Sequence, residues 1–165
     1  MQTLEYRTVD KSLWGEGEWQ QEPDKKQWQD KETGYPCLIV RGPHGALCGY
    51  VGIPSTHPLY KKGYSEIEQE QESINVHGGL TYSDVCQHTD NPSLGICHLT
   101  TAEEDKTWWL GFDAAHAGDY CPHYERFNLT EKYGTYMGVY RNVAYVTEQI
   151  EELAKQLYAI EQEHT

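Results

Sequence analysis

The run from Thr107 to Asp119, TWWLGFDAAHAGD, sets two aspartates and a histidine at the end of an apolar, strand-like segment. Carboxylates and imidazoles exchange protons and bind cations near neutral pH, and a rigid strand end is a common place to present them. Strand alternation puts Trp109, Gly111 and Asp113 on one face and Trp108, Leu110 and Phe112 on the other, so Asp113 stands at the exit. From Ala114 to Gly118 only His116 is not small, which lets the chain turn tightly and bring His116 and Asp119 back toward Asp113. The same spacing also suits a self-contained turn, in which the aspartates accept from nearby backbone N–H groups and the histidine completes the network.

Two chemistries can be built on this run. In the first, His77, Asp113 and His116 hold a divalent metal, zinc or manganese, with a position open for water and Asp119 as base, the arrangement of a metal-dependent hydrolase. His77 enters that set only through an assumed strand adjacency. In the second, Arg41, His77, Gly78, Gly79, Thr81, Trp109, Asp113, His116 and Asp119 line a polar ligand pocket. There an indole stacks on a planar base, glycine N–H groups approach phosphate or ribose oxygens, and aspartate accepts from hydroxyls or amines. Against this, an indole in a strand is commonly buried core, and Arg41 is equally well a surface strand residue.

A further set of soft ligands, Cys86-x-His88 with Cys97-His98, brackets a loop, and Cys121-Pro122-His123 could join it; the spacing matches no common zinc framework. The serine-hydrolase elbow, the phosphate-cradling G-x-x-x-x-G-K-[ST] loop of nucleoside triphosphatases, the dinucleotide glycine fingerprint and the H-E-x-x-H metalloprotease helix are all missing from the sequence.

The 165 residues fit one domain, 1–165, and carry a net charge of −13, which repels polyanions and disfavours extended nucleic acid or an anionic membrane as partner. A small phosphorylated ligand stays compatible, since a few local donors override the far field. No window reaches the apolar length of a membrane span, and the first residues lack a signal-peptide core, so a cytoplasmic protein is expected. Five cysteines without C-x-x-C spacing read as reduced thiols.

Those groups need elements to position them. Residues 1–34 read as a polar arm anchored by Trp14, Trp19 and Trp28. Cys37 to Arg41 and Ala46 to Ile53 form a hairpin about the Gly42-Pro43-His44-Gly45 turn. A surface excursion follows, with a solvated acidic block from Glu66 to Glu72. Ile74 to Tyr82 reads as a strand interrupted at Gly78-Gly79, Ile96 to Leu99 as a short strand, and Thr107 to Asp113 as the best strand. Val143, Val146, Ile150, Leu153, Leu157 and Ile160 recur at spacings of three and four, which predicts an amphipathic helix over 142–162 with Asn142 as its cap. The sum is an α+β domain, an antiparallel sheet of four to five strands under a long C-terminal helix, with a homodimer through that helix as the lesser alternative.

The strings DKKQWQDKETGYPCLIVRGPHGALCGYVGIPSTHPLY, NVHGGLTYS, WWLGFDAAHAGD and YRNVAYVTEQIEELAKQL together resemble a family of small, functionally unassigned bacteriophage and prophage proteins, from Asp24 to Leu157. Members commonly have cysteine where this chain has Ala114. The resemblance implies a host-cytoplasm setting, in which such proteins act by binding, either sequestering a nucleotide-like signal of host defence or engaging a host protein through an acidic surface. Capture of a small polar, nucleotide-like molecule is therefore the leading expectation, ahead of the metal-dependent hydrolase and the acidic inhibitor of a host protein.

Overall fold

A computed structural model of the chain describes residues 2–71, 74–87, 89, 91, 94–98, 106–123 and 138–164. Six antiparallel strands form one sheet: β1 (Leu4–Tyr6), β2 (Lys25–Gln29), β3 (Pro36–Arg41), β4 (Leu47–Ile53), β5 (Tyr82–Val85) and β6 (Trp108–Asp113). Their spatial order is β1-β2-β3-β4-β6-β5. The excursion after β4 contains a short helix, α1 (Tyr64–Glu70), which buries Ile67, and the chain ends in α2 (Val143–Glu163). The α+β architecture with a long C-terminal helix is thus as the sequence implies, with six strands where four to five were expected.

The two extra strands come from the arm. β1 is only three residues long, and β2, KKQWQ, carries no apolar alternation. Its inward positions are Lys25 and Gln27, both buried, so the usual hydrophobic signal is absent from a strand that is nonetheless interior. Trp14 and Trp19 do anchor the arm, at 5% and 8% exposure.

The predicted hairpin forms as β3–β4, with Gly42 N donating to Ala46 O at 2.8 Å and Gly45 in the left-handed region at φ +87°. Alternation along β6 divides the molecule as read from the sequence. Leu110 and Phe112 join Ile39, Leu47 and Val51 in the core under α2, while Trp109 packs with Leu38, Val40 and Tyr50 on the opposite, helix-free face. Helix α2 buries Val146, Ile150, Leu153, Leu157 and Ile160, each fully buried aliphatic worth roughly 1.5–3 kcal/mol of transfer free energy. Close approach needs Gly49 in β4, where a Cβ would lie 2.6 Å from the Phe112 ring and 2.8 Å from Ile150.

Two other expectations are corrected. Residues 74–81 do not form a strand; they run along α2 and turn through Gly78 and Gly79, with β5 beginning only at Tyr82. The cause is polar: Gln156 accepts from Asn75 N at 2.6 Å and donates to Asn75 O at 2.9 Å, and Gln149 accepts from His77 N at 2.9 Å. Side chains of the helix thus replace a neighbouring strand as partners for this backbone. In addition, Cys86 and Cys97 are joined as a disulfide with Cα atoms 5.0 Å apart, leaving Cys37, Cys48 and Cys121 as thiols, so the reading of five reduced cysteines does not hold.

Candidate functional site

The end of β6, the 77–81 turn and the first turns of α2 meet at one corner. Asp113 closes β6, and the Ala114 to Gly118 turn, with Gly118 at φ +92°, folds back so that His116 Nε2 lies 3.2 Å from Asp113 Oδ1. Asp119, its side chain only 1% exposed, accepts from Arg141 Nε on Oδ1 at 2.9 Å. On Oδ2 it meets His77 Nε2 at 2.8 Å and accepts from the His116 backbone N–H at 3.1 Å.

These contacts fix the orientation of the His77 ring and its neutral tautomer. An ionised carboxylate only accepts, so His77 places its proton on Nε2 toward Asp119, and in the neutral ring Nδ1 accepts from the Tyr145 hydroxyl, 2.8 Å away. Burial acts to raise the Asp119 pKa, but hydrogen bonds from His77, Arg141 and the His116 amide outweigh it and hold the carboxyl below the ordinary range. Arg141 also lies over the Tyr145 ring, 4.8 Å from its centroid.

The outer part of the corner is more open. His116 and Asp113 are about a third exposed, and Thr81 donates from Oγ1 to Asp113 Oδ2 at 3.2 Å. Although His116 Nε2 is close to Asp113, it makes no hydrogen bond among the described residues, because the approach is out of line; their attraction is that of an ion pair when the ring is charged. The floor under His116 is Gly78, at φ +70°, where a Cβ would come within 2.3 Å of the ring. Gly79 follows at φ +80°, with its Cβ direction toward Glu68 at 3.7 Å.

The structure therefore brings together His77, Gly78, Gly79, Thr81, Asp113, His116 and Asp119, and it separates two other expected members. Trp109 is fully buried on the helix-free face, its ring 5.3 Å from that of His98, so it has no surface on which a base could stack. Arg41 belongs to a buried network of its own. Its Nε donates to Asp24 at 2.8 Å, Nη1 to Gly45 O at 2.8 Å and to Tyr140 Oη at 2.9 Å, and Nη2 to Pro23 O at 3.1 Å. Asp24 also receives Lys11 Nζ at 2.7 Å and the N–H groups of Thr8 and Val9, and this clasp holds the arm to the sheet.

The metal set is corrected as well. Among the described residues no group of three His, Cys, Asp or Glu side chains is arranged to hold an ion. His77 has both ring nitrogens engaged by Tyr145 and Asp119, so His77, Asp113 and His116 do not converge as zinc or manganese ligands. The soft-ligand set fares no better: Cys86 and Cys97 consume each other, His98 Nε2 meets Cys37 O at 2.8 Å, and His88 lies outside the described residues.

Sequence reasoning missed Arg141, Tyr145 and Gln149, which the structure adds to the corner. Their signal was present as a spacing of four, Tyr145 and Gln149 on α2 flanking the apolar stripe and Arg141 just before its Asn142 cap. Among the described residues no helix is long and apolar enough to cross a membrane. Comparison with protein-family models, with curated proteins and with solved structures yields no match in any of the three.

Proposed function

We propose that the chain is a small-ligand-binding protein of the bacteriophage type, and that the corner between the 77–81 turn, the 113–119 turn and the start of α2 captures a small polar, nucleotide-like molecule bearing an anionic group. One observation carries the reading. Asp119 holds Arg141 by Nε alone, so the guanidinium is fixed in place while its two Nη groups have no partner among the described residues, and the same carboxylate accepts from the backbone N–H of the partly exposed His116. A preorganised guanidinium with free donors suits a phosphate or carboxylate, and it supplies local positive charge within a chain of net charge −13. Thr81 and Asp113 offer a hydroxyl and a carboxylate for ribose or amine groups. Base stacking on Trp109 is not part of this proposal.

The resemblance to phage proteins supplies the biological setting, sequestration of a host defence signal in the host cytoplasm. Calorimetry against cyclic dinucleotides, cyclic trinucleotides and ADP-ribose tests it. Binding by the native chain that weakens at least tenfold in Arg141→Met and in His116→Ala is expected. Absence of heat from the folded protein with all three classes would sink the reading. Ligand recovered intact after denaturation separates a binder from a hydrolase, and salt-sensitive capture of one host protein that ignores His116→Ala would favour the acidic inhibitor instead.

A further inference from the structure

On the side of the sheet away from α2 a cavity of about 390 Å³ opens between the arm, the β3–β4 hairpin and residues 94–96. We propose that this cavity is a second binding site, for a small uncharged aromatic molecule carrying one N–H or O–H donor. It is distinct from the corner described above, because Val40, Cys48 and Tyr50, which line it, face away from the helix, and Asp113 at the end of β6 borders both.

Its size falls in the range of small-molecule sites, and its walls are Val9, Trp14, Val40, Leu94 and Ile96 with the Tyr50 ring. Among the described residues no ionised side chain with unspent hydrogen-bonding capacity lines it. Arg41 contributes to the lining, yet its guanidinium is spent on Asp24, Gly45 O, Pro23 O and Tyr140. An anionic ligand would therefore be desolvated without a counter-charge, and a cationic one would find no carboxylate among the lining residues.

The polar end consists of the Tyr50 hydroxyl and the Cys48 thiol. Burial first, and then the Asp113 carboxylate, pushes the Cys48 thiol up to about 12, and burial raises Tyr50 as well, so both stay neutral at physiological pH. Asp113 pairs in register with Cys48 on the same face, which makes the potential at this end negative and favours a ligand that donates. An aromatic ring against Trp14 and Tyr50, with its donor toward Tyr50 and Cys48, satisfies both the apolar walls and this end.

The outer wall is preformed. Ile96 N donates to Gln87 O at 2.9 Å, Lys25 Nζ donates to Gly95 O at 2.8 Å, and the Cys86–Cys97 disulfide closes the segment, so little ordering remains to oppose binding.

Indole is the probe, titrated into the full chain by calorimetry and by saturation-transfer NMR, with N-methylindole as the analogue lacking a donor and indole-3-acetate as the charged one. Indole is expected to bind, N-methylindole about fivefold more weakly, and indole-3-acetate at least tenfold more weakly. Leu94→Trp, at the exposed rim, and Cys48→Phe, at the half-buried polar end, should each reduce indole affinity at least tenfold while circular dichroism stays native. Arg141→Met should leave it unchanged, which separates this site from the corner. No indole binding at millimolar concentration, or binding that survives both Leu94→Trp and Cys48→Phe, overturns the proposal.

Discussion

His77 and Asp119 are 42 residues apart in the chain, yet His77 Nε2 sits 2.8 Å from Asp119 Oδ2 in a pocket of protein from which the carboxylate is almost wholly sealed. The pair ties the turn before β5 to the turn after β6, and Arg141 and Tyr145 extend it to α2. Three separate pieces of chain therefore depend on one carboxylate for their relative placement. A buried charge with several charge-assisted hydrogen bonds is costly to disturb, because the groups it satisfied are left behind.

Asp119→Asn should accordingly lower stability by about 2–3 kcal/mol at pH 7, measured by urea unfolding. The pH dependence has a definite sign. Its folded pKa lies below the unfolded value of about 3.9, so the stabilisation is complete above that value and is lost as pH falls through the folded pKa. The gap between native chain and variant should close as the pH is lowered from about 5 to 2. A gap that stays constant over that interval would show that the carboxylate is not ionised against His77 and Arg141.

Gly78 and Gly118 permit a comparison in which backbone and collision separate. Both have positive φ, +70° and +92°, but a Cβ on Gly78 meets the His116 ring at 2.3 Å whereas one on Gly118 meets nothing within 4 Å. Gly118→Ala should cost only the left-handed backbone penalty, about 1–2 kcal/mol. Gly78→Ala should cost more and should displace the His116 ring, read as a shift of its imidazole resonances in NMR. Equal costs with unmoved His116 resonances in both variants would remove Gly78 as the support of that ring.

Several of these relationships could be read from residue order, and the others could not for physical reasons. The run of small residues from Ala114 to Gly118 dictates a turn that returns His116 to Asp113, and the spacing of Val146, Ile150, Leu153 and Leu157 dictates α2. Trp109 and Arg41 were misplaced because an indole on a strand face looks the same whether that face is open or covered, and an arginine does not show its carboxylate partner until the chain has folded. β2 escaped because Lys25 and Gln27 are both buried, Lys25 under the arriving 94–98 segment, which is remote in sequence. The 74–81 segment misled because helix side chains, not a strand, satisfy its backbone. Disulfide pairing of Cys86 with Cys97 has no local signature at all.

That disulfide makes a direct prediction. The purified, denatured chain should show three reactive thiols before reduction and five after it. Closing a loop of this length restrains the unfolded state by about 3 kcal/mol, so reduction or Cys86→Ser with Cys97→Ser should lower the melting temperature by several degrees. Deuterium exchange should rise first at residues 94–98, which the bridge holds against β2 and β3. Five reactive thiols before reduction would instead support the reduced state expected from cysteine spacing.

Lys25 offers a test at the opposite end of the pH scale. It is fully buried, its Nζ donates to Gly95 O at 2.8 Å, and burial pushes its pKa down to about 8. In the unfolded chain the same group titrates near 10.4, so between about pH 8 and 10.4 the unfolded state binds more protons than the folded one and stability must rise with pH. Below pH 8 both states are protonated and the folded chain carries the net cost of an interior ammonium after all its contacts, on the order of 3 kcal/mol. Lys25→Met removes that cost and also removes the partner of Gly95 O, worth a similar amount, so the two chains should differ little at pH 7. As pH rises to 10 the native chain should gain on the variant by about 2–3 kcal/mol, followed by urea unfolding at each pH. If the two curves stay parallel from pH 7 to 10, Lys25 is not held as a buried ammonium, and the segment over β2 must be secured by the disulfide and by His98 instead.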